Sequence, residues 1–216
     1  MAYPDGVDHG WNDGRGVGPD VDDVAFLETL LQNLDDDFSI DRARVYVTGI
    51  SNGGMMAMRF ACDRADLVAA IAPVSALLPR ALQARRPARS VPVVLFNGTA
   101  DPVMPYDGGA IGRAGERGAV LSAAQTASWW AARDGCARPC PATPLEVLDS
   151  TDPTRVTEQR WESGRADAEV VQLTIEGGGH TWPGGQPYRS AGRGATSRNI
   201  DACLRIWRFF SRHPSR

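Results

Sequence analysis

The sequence lacks any stretch that could cross a bilayer. Its longest apolar run, residues 67–78, is broken by Pro73 and falls short of the roughly 20 residues a spanning helix needs. It has no excess of positive charge either. With 23 basic residues against 26 acidic ones, the formal net charge is −3 and the isoelectric point is near 5.6, which argues against a general nucleic-acid binder. No internal repeat is found. The four cysteines, Cys62, Cys136, Cys140 and Cys203, lack the paired spacing of a zinc site. The acidic run Asp35-Asp36-Asp37 reads as a solvated loop rather than a metal site. Cys136 and Cys140 flank a turn; they either bridge, which would suit an oxidising compartment, or remain thiols. The opening Met1-Ala2-Tyr3-Pro4-Asp5-Gly6 carries no leader pattern.

What is present is a globular composition, 43% hydrophobic over 216 residues, enough for one core and one domain over residues 1–216. The most informative stretch runs Val45-Tyr46-Val47-Thr48-Gly49-Ile50-Ser51-Asn52-Gly53-Gly54-Met55-Met56-Ala57. It reads as a buried strand, a sharp turn and a helix rich in small residues. Gly49-Ile50-Ser51-Asn52-Gly53 is a G-x-S-x-G pattern, whose serine sits on a strained strand-to-helix turn in a nucleophile elbow. The flanking glycines let the backbone pass where a Cβ would clash. The helix start then offers the Asn52 N–H and a positive dipole end to an oxyanion.

The remainder alternates helices with apolar strands. Asp20 is the expected cap of a first helix, with Asp22 and Asp23 in its first turn and Val24, Leu27, Leu30, Leu31 and Leu34 on one face. Strands are expected over residues 43–48, 68–75, 91–97 and 169–176, and a small peripheral pair over 145–148 and 155–161. Residues 77–90 read as a surface helix or loop. Ser122 and Gln125 form a capping box for a helix that ends at Gly135. Asn199 is the expected cap of a last helix whose Ile200, Cys203, Leu204, Trp207 and Phe210 share a face. Continuous apolar strands between helices imply a mostly parallel sheet covered on both faces.

A serine nucleophile needs a base. His180, in Gly178-Gly179-His180-Thr181-Trp182-Pro183-Gly184, lies just past the last main strand; His9 and His213 sit in the terminal regions. The base needs an acid, and Asp101 follows the third strand, with Asp107 and Asp134 as rivals. The chain order Ser51, Asp101, His180 is that of α/β-hydrolases, and each residue follows the C-terminal end of an expected parallel strand. Glycine-rich connections at 98–119 and 181–198 are placed to frame a pocket, with Trp11, Tyr106 and Trp182 as wall residues.

Five segments, Tyr3-Pro4-Asp5-Gly6, Gly10-Trp11-Asn12-Asp13-Gly14, Gly49 to Gly54, Gly98-Thr99-Ala100-Asp101-Pro102 and Gly178 to Gly184, resemble the polyhydroxybutyrate depolymerase and feruloyl esterase group of α/β-hydrolases. The resemblance spans nearly the whole chain. It implies a secreted or periplasmic serine carboxylesterase with Ser51 as nucleophile, Asp101 as acid, His180 as base and no cofactor or metal. Its substrates would be short-chain acyl, feruloyl-type or polyester compounds, with no nucleic-acid or membrane partner. It also implies that Trp182 walls an acyl or aromatic pocket, unless it is an ordinary core tryptophan.

One departure stands out. Relatives in this group carry several strands before the Tyr-Pro-Asp-Gly stretch, and one of those connections donates the second oxyanion N–H. The expectation is therefore an α/β-hydrolase fold lacking the usual first strands, with the strand through Val45 and Val47 at an open edge. A homodimer could cover that edge. The second oxyanion donor would come from the 5–16 loop or from a partner; losing one donor costs about 10²–10³ in rate. The alternative is a non-catalytic remnant of the fold that serves as a binding module.

Overall fold

The computed structural model describes residues 1–18, 20–188 and 192–215. Residues 189–191, within the expected 181–198 loop, and Pro19, at the end of the N-terminal loop, lie outside the described residues.

The first helix, α1 (Asp23–Phe38), is capped by Asp22 rather than Asp20: the Asp22 carboxylate accepts the Ala25 N–H at 3.0 Å. The expected apolar face is only half-buried, and Asp23 is the one buried residue of this helix. Strand β1 (Tyr46–Ile50) leads into α2 (Asn52–Asp63), followed by β2 (Ala70–Val74) and β3 (Val93–Gly98). Residues 77–90 hold no α-helix, only a 3-10 turn at Arg80–Leu82, with Leu78 and Leu82 buried. A two-residue hairpin, β4 (Gly109–Ala110) with β5 (Ala119–Val120), then precedes α3 (Ala123–Asp134). Both halves of the Ser122–Gln125 capping box form at 3.1 Å, and Gly135 closes α3 in the left-handed region at φ 71°.

The later strands are β6 (Thr143–Pro144), β7 (Arg155–Trp161) and β8 (Val170–Glu176), and α4 (Ala202–Phe210) closes the fold. The sheet order is β1-β2-β3-β8-β7-β6. The four strands from β1 to β8 run parallel; β7 is antiparallel to β8, and β6 to β7. The expected peripheral pair is therefore part of the main sheet, and its first strand lies at 143–144 rather than 145–148. Strand β1 is the open edge, paired only with β2 among the described residues.

Each face of the sheet carries a core. Met55, Met58 and Phe60 of α2 pack with Ile71, Leu95 and Trp130 on one side. Phe96, Val171 and Leu173 meet Ile206, Phe209 and Phe210 of α4 on the other. The cap of α4 is Asp201, which accepts the Leu204 N–H at 2.9 Å. Its buried face is Ala202, Ile206, Phe209 and Phe210, so Leu204 and Trp207 point outward, contrary to expectation. Asn199 instead braces two loops: Oδ1 accepts Asp149 N–H at 2.8 Å, and Nδ2 donates to Thr154 O at 2.9 Å.

Candidate active site

Ser51 sits between β1 and α2 at φ 57°, ψ −120°, a conformation that costs a non-glycine residue energy and that clusters at functional sites. Its N–H is held by Val74 O at 2.9 Å. The elbow is tight at Gly49 and Gly54. A Cβ on Gly49 would lie 2.6 Å from the Gly53 carbonyl carbon, and one on Gly54 would lie 2.7 Å from Ala76 Cβ. Gly53 has open space where a Cβ would go, so the second glycine of the sequence pattern is not the sterically required one. Asn52 is the first residue of α2, and its N–H lies outside the helical ladder.

Asp101 and His180 meet. His180 Nδ1 lies 2.8 Å from Asp101 Oδ2, and both side chains are almost fully buried. The other Asp101 oxygen accepts the Val103 and Met104 N–H groups at 2.8 and 2.7 Å, which fixes the carboxylate plane. Close backbone contacts hold the two loops together: Ala100 N–H donates to Gly178 O at 3.0 Å, and a Cβ on Gly98 would collide with that oxygen. The rivals are elsewhere. Asp107 is exposed, and Asp134 accepts the Val91 N–H at 3.0 Å. His213 pairs with Glu169 at 3.0 Å.

Sequence reasoning missed Ser75. It lies one residue past β2, buried, at φ 45°, and its hydroxyl donates to Thr181 O at 3.1 Å. Since Ser51 N–H binds Val74 O, two hydrogen bonds on adjacent residues tie the elbow and the His180 loop to the end of β2. A non-glycine residue in a turn carries no sequence signal for this strain.

The Asn52 side chain was missed too. Its carboxamide accepts the Trp11 N–H at 2.7 Å and donates to Trp11 O at 2.9 Å, so the N-terminal loop is docked on the elbow. This limits the 5–16 loop as a source of the second oxyanion donor. The N–H groups of His9, Gly10, Trp11, Asn12 and Arg15 are already bonded to Gly6, Val7, Asn52, Asp23 and Asp13. Tyr106 is half-buried, with its hydroxyl 2.9 Å from Thr174 Oγ1. Trp182 is half-buried and packs against the α4-side core, and its indole N–H donates to Cys203 Sγ at 3.3 Å. All four cysteines are free thiols; burial pushes Cys62 up to about 12 and Cys136 up to about 11. Among the described residues no cluster of His, Cys, Asp and Glu could hold a metal ion.

No protein-family model matches the chain. A protein carrying the name esterase NocK, from Nocardia uniformis subsp. tsuyamanensis, is 36% identical over 215 residues, covering 93% of this chain and 61% of that protein. Feruloyl esterase B of Piromyces equi is 30% identical over 188 residues, covering 83% of this chain and 33% of the relative. The chain has an α/β-hydrolase fold and is similar in sequence to esterases, a feruloyl esterase among them. It spans less than two thirds of the length of these curated relatives. Among solved structures, an acetyl xylan esterase from Aspergillus awamori superposes on this esterase-like chain with a TM-score of 0.55 at 13% identity, covering 87% of this chain and 66% of that one. At that identity the likeness concerns the fold alone.

Proposed function

We propose that this chain is a serine carboxylic-ester hydrolase, with Ser51 as nucleophile, His180 as general base and Asp101 as the acid that orients it. The observation that carries this reading is the buried 2.8 Å bond between His180 Nδ1 and Asp101 Oδ2, formed on the loops after β8 and β3, downstream of a strained serine elbow after β1. With Nδ1 engaged by the carboxylate, Nε2 is the nitrogen left to take the Ser51 proton. Ser51 Oγ attacks the ester carbonyl carbon, and the resulting oxyanion is met by the Asn52 N–H and the start of α2. The tetrahedral intermediate collapses, and His180 returns its proton to the leaving alcohol. Water then attacks the acyl-serine carbonyl with its proton passing to His180; the second tetrahedral intermediate collapses, His180 returns that proton to Ser51 Oγ, and the acid is released. No metal or organic cofactor enters these steps.

The names of the relatives favour feruloyl-type acyl groups, with short-chain acyl esters and polyesters as the other substrate classes. The open edge at β1, the half-buried face of α1 and the outward Leu204 and Trp207 favour a homodimer that covers them. A second reading, a non-catalytic binding module, is favoured by the engaged N–H groups of the 5–16 loop, which leave fewer donors for a second oxyanion contact. Hydrolysis of p-nitrophenyl butyrate by the purified chain beside Ser51→Ala decides between the two. The esterase reading expects activity that falls by about 10⁶ in the variant. Equal inactivity of two folded proteins would leave the binding module standing.

A further inference from the structure

The proposed nucleophile and base stand far apart along the sheet. Ser51 follows β1 and His180 follows β8, with β2 and β3 between them. At about 4.8 Å per strand, the ends of β1 and β8 are about 14 Å apart across the sheet. A general base works only within hydrogen-bond reach, about 3 Å, of the proton it takes. The His180 loop must therefore cross back over the ends of β3 and β2. Over β3 it is held by Asp101 and by the Ala100 N–H, which donates to Gly178 O at 3.0 Å. A second set of bonds pairs it with residues 193–197: Gly179 N–H donates to Ala195 O at 2.8 Å, His180 N–H to Arg193 O at 2.6 Å and Gly184 N–H to Ser197 O at 2.8 Å. At the end of β2 there is one bond. Ser75 Oγ donates to the carbonyl of Thr181, the residue after His180, at 3.1 Å. Among the described residues this is the only hydrogen bond that joins residues 178–184 to any residue ahead of β3.

The backbone around Ser75 is pinned to β3 on both sides. Ser75 N–H donates to Phe96 O at 2.8 Å, and Asn97 Nδ2 donates to Ala76 O at 3.0 Å. Ser75 is buried and holds φ 45°, which glycine adopts freely and serine only with strain. A glycine would turn the chain here without that strain; what the serine adds is a hydroxyl and its hold on the loop. We propose that Ser75 is a positioning residue for the base: it catches the His180 loop one strand short of the elbow and sets the reach of His180 Nε2 toward Ser51 Oγ. This inference rests on the ester-hydrolase reading. Without the hydroxyl, His180 keeps its bond to Asp101, but the last part of the crossing has no hydrogen-bonded stop, and proton transfer from Ser51 loses its fixed distance. The loss falls on the chemical step rather than on substrate binding.

The test measures kcat, KM and melting temperature with p-nitrophenyl butyrate for wild type, Ser75→Ala and Ser75→Gly. Alanine removes the hydroxyl and keeps the strain; glycine removes the hydroxyl and relieves the strain. The expected result is a fall in kcat of about 10–100-fold in both variants, with KM changed by less than about twofold. Ser75→Gly should melt above Ser75→Ala and yet be no more active. That split separates positioning from support, because a residue that only stabilised the fold would return activity together with melting temperature. If Ser75→Ala does not fold, Ser75→Gly carries the comparison, with a fall in kcat at an undiminished melting temperature as the supporting result. A kcat within about twofold of wild type in the folded variants overturns the proposal, as does a rise in KM alone or a kcat that recovers in Ser75→Gly in step with its melting temperature. Inactivity of the folded wild type is a separate failure: it overturns the hydrolase reading and takes the positioning role with it.

Discussion

Asp134 carries an ionisable group where no water reaches it. One oxygen accepts the Val91 N–H, the other has no partner among the described residues, and burial pushes its pKa from 3.8 to about 7. The unfolded chain ionises this carboxyl first as pH rises. Its contribution to stability is therefore complete below about pH 4 and is lost progressively up to about pH 7. Asp134→Asn keeps the acceptor for Val91 and removes the ionisation. We expect the variant to gain stability over wild type at pH 8 and to match it near pH 4. The gain has a ceiling of roughly 4 kcal/mol, since each tenfold change in an acid constant is worth about 1.4 kcal/mol. Urea unfolding at the two pH values checks this; a difference that does not change with pH would refute it. At the proposed active site the corresponding substitution is Asp101→Asn. It keeps the shape and both backbone acceptor contacts on Oδ1 but no longer stabilises an imidazolium, so kcat on a p-nitrophenyl ester should fall by about 10⁴ with KM little changed.

At the scale of elements, the elbow separates glycines by need. Gly49→Ala and Gly54→Ala drive a methyl into backbone or Ala76 and should lower the melting temperature and the activity together. Gly53→Ala meets nothing within 4 Å and replaces a helical glycine, so it should raise stability by about 0.5–1 kcal/mol. A thermal melt of the three variants tests the ordering. The same contrast explains what could be read without coordinates. Helix α3 was legible from Ser122 to Gly135 because its capping signals are local. That Ser51, Asp101 and His180 each follow a strand end was legible, because an apolar strand is visible in sequence. The face of α4 was misread because Cys203, Leu204 and Trp207 are apolar yet point outward, so hydrophobicity alone did not give its phase. The docking of Trp11 on Asn52 was invisible: the two are 41 residues apart, and a carboxamide has no pattern that names a distant backbone.

For the molecule as a whole, a homodimer predicts elution at twice the 23.2 kDa chain mass, with Thr48→Arg on exposed β1 shifting it to the monomer. Elution of the wild type at the monomer mass would remove the dimer from the reading. The sheet order has a consequence of another kind. β8 is made after β7 but lies inside it, against β3. A chain leaving the ribosome therefore holds β3 as a bare edge until residues 170–176 emerge, and the proposed base, His180, emerges only after them. The pairing is long-range in sequence and correspondingly slow. Hydrolytic competence would be the last property the nascent chain acquires, and during the wait its greatest hazard is its own unpaired β3.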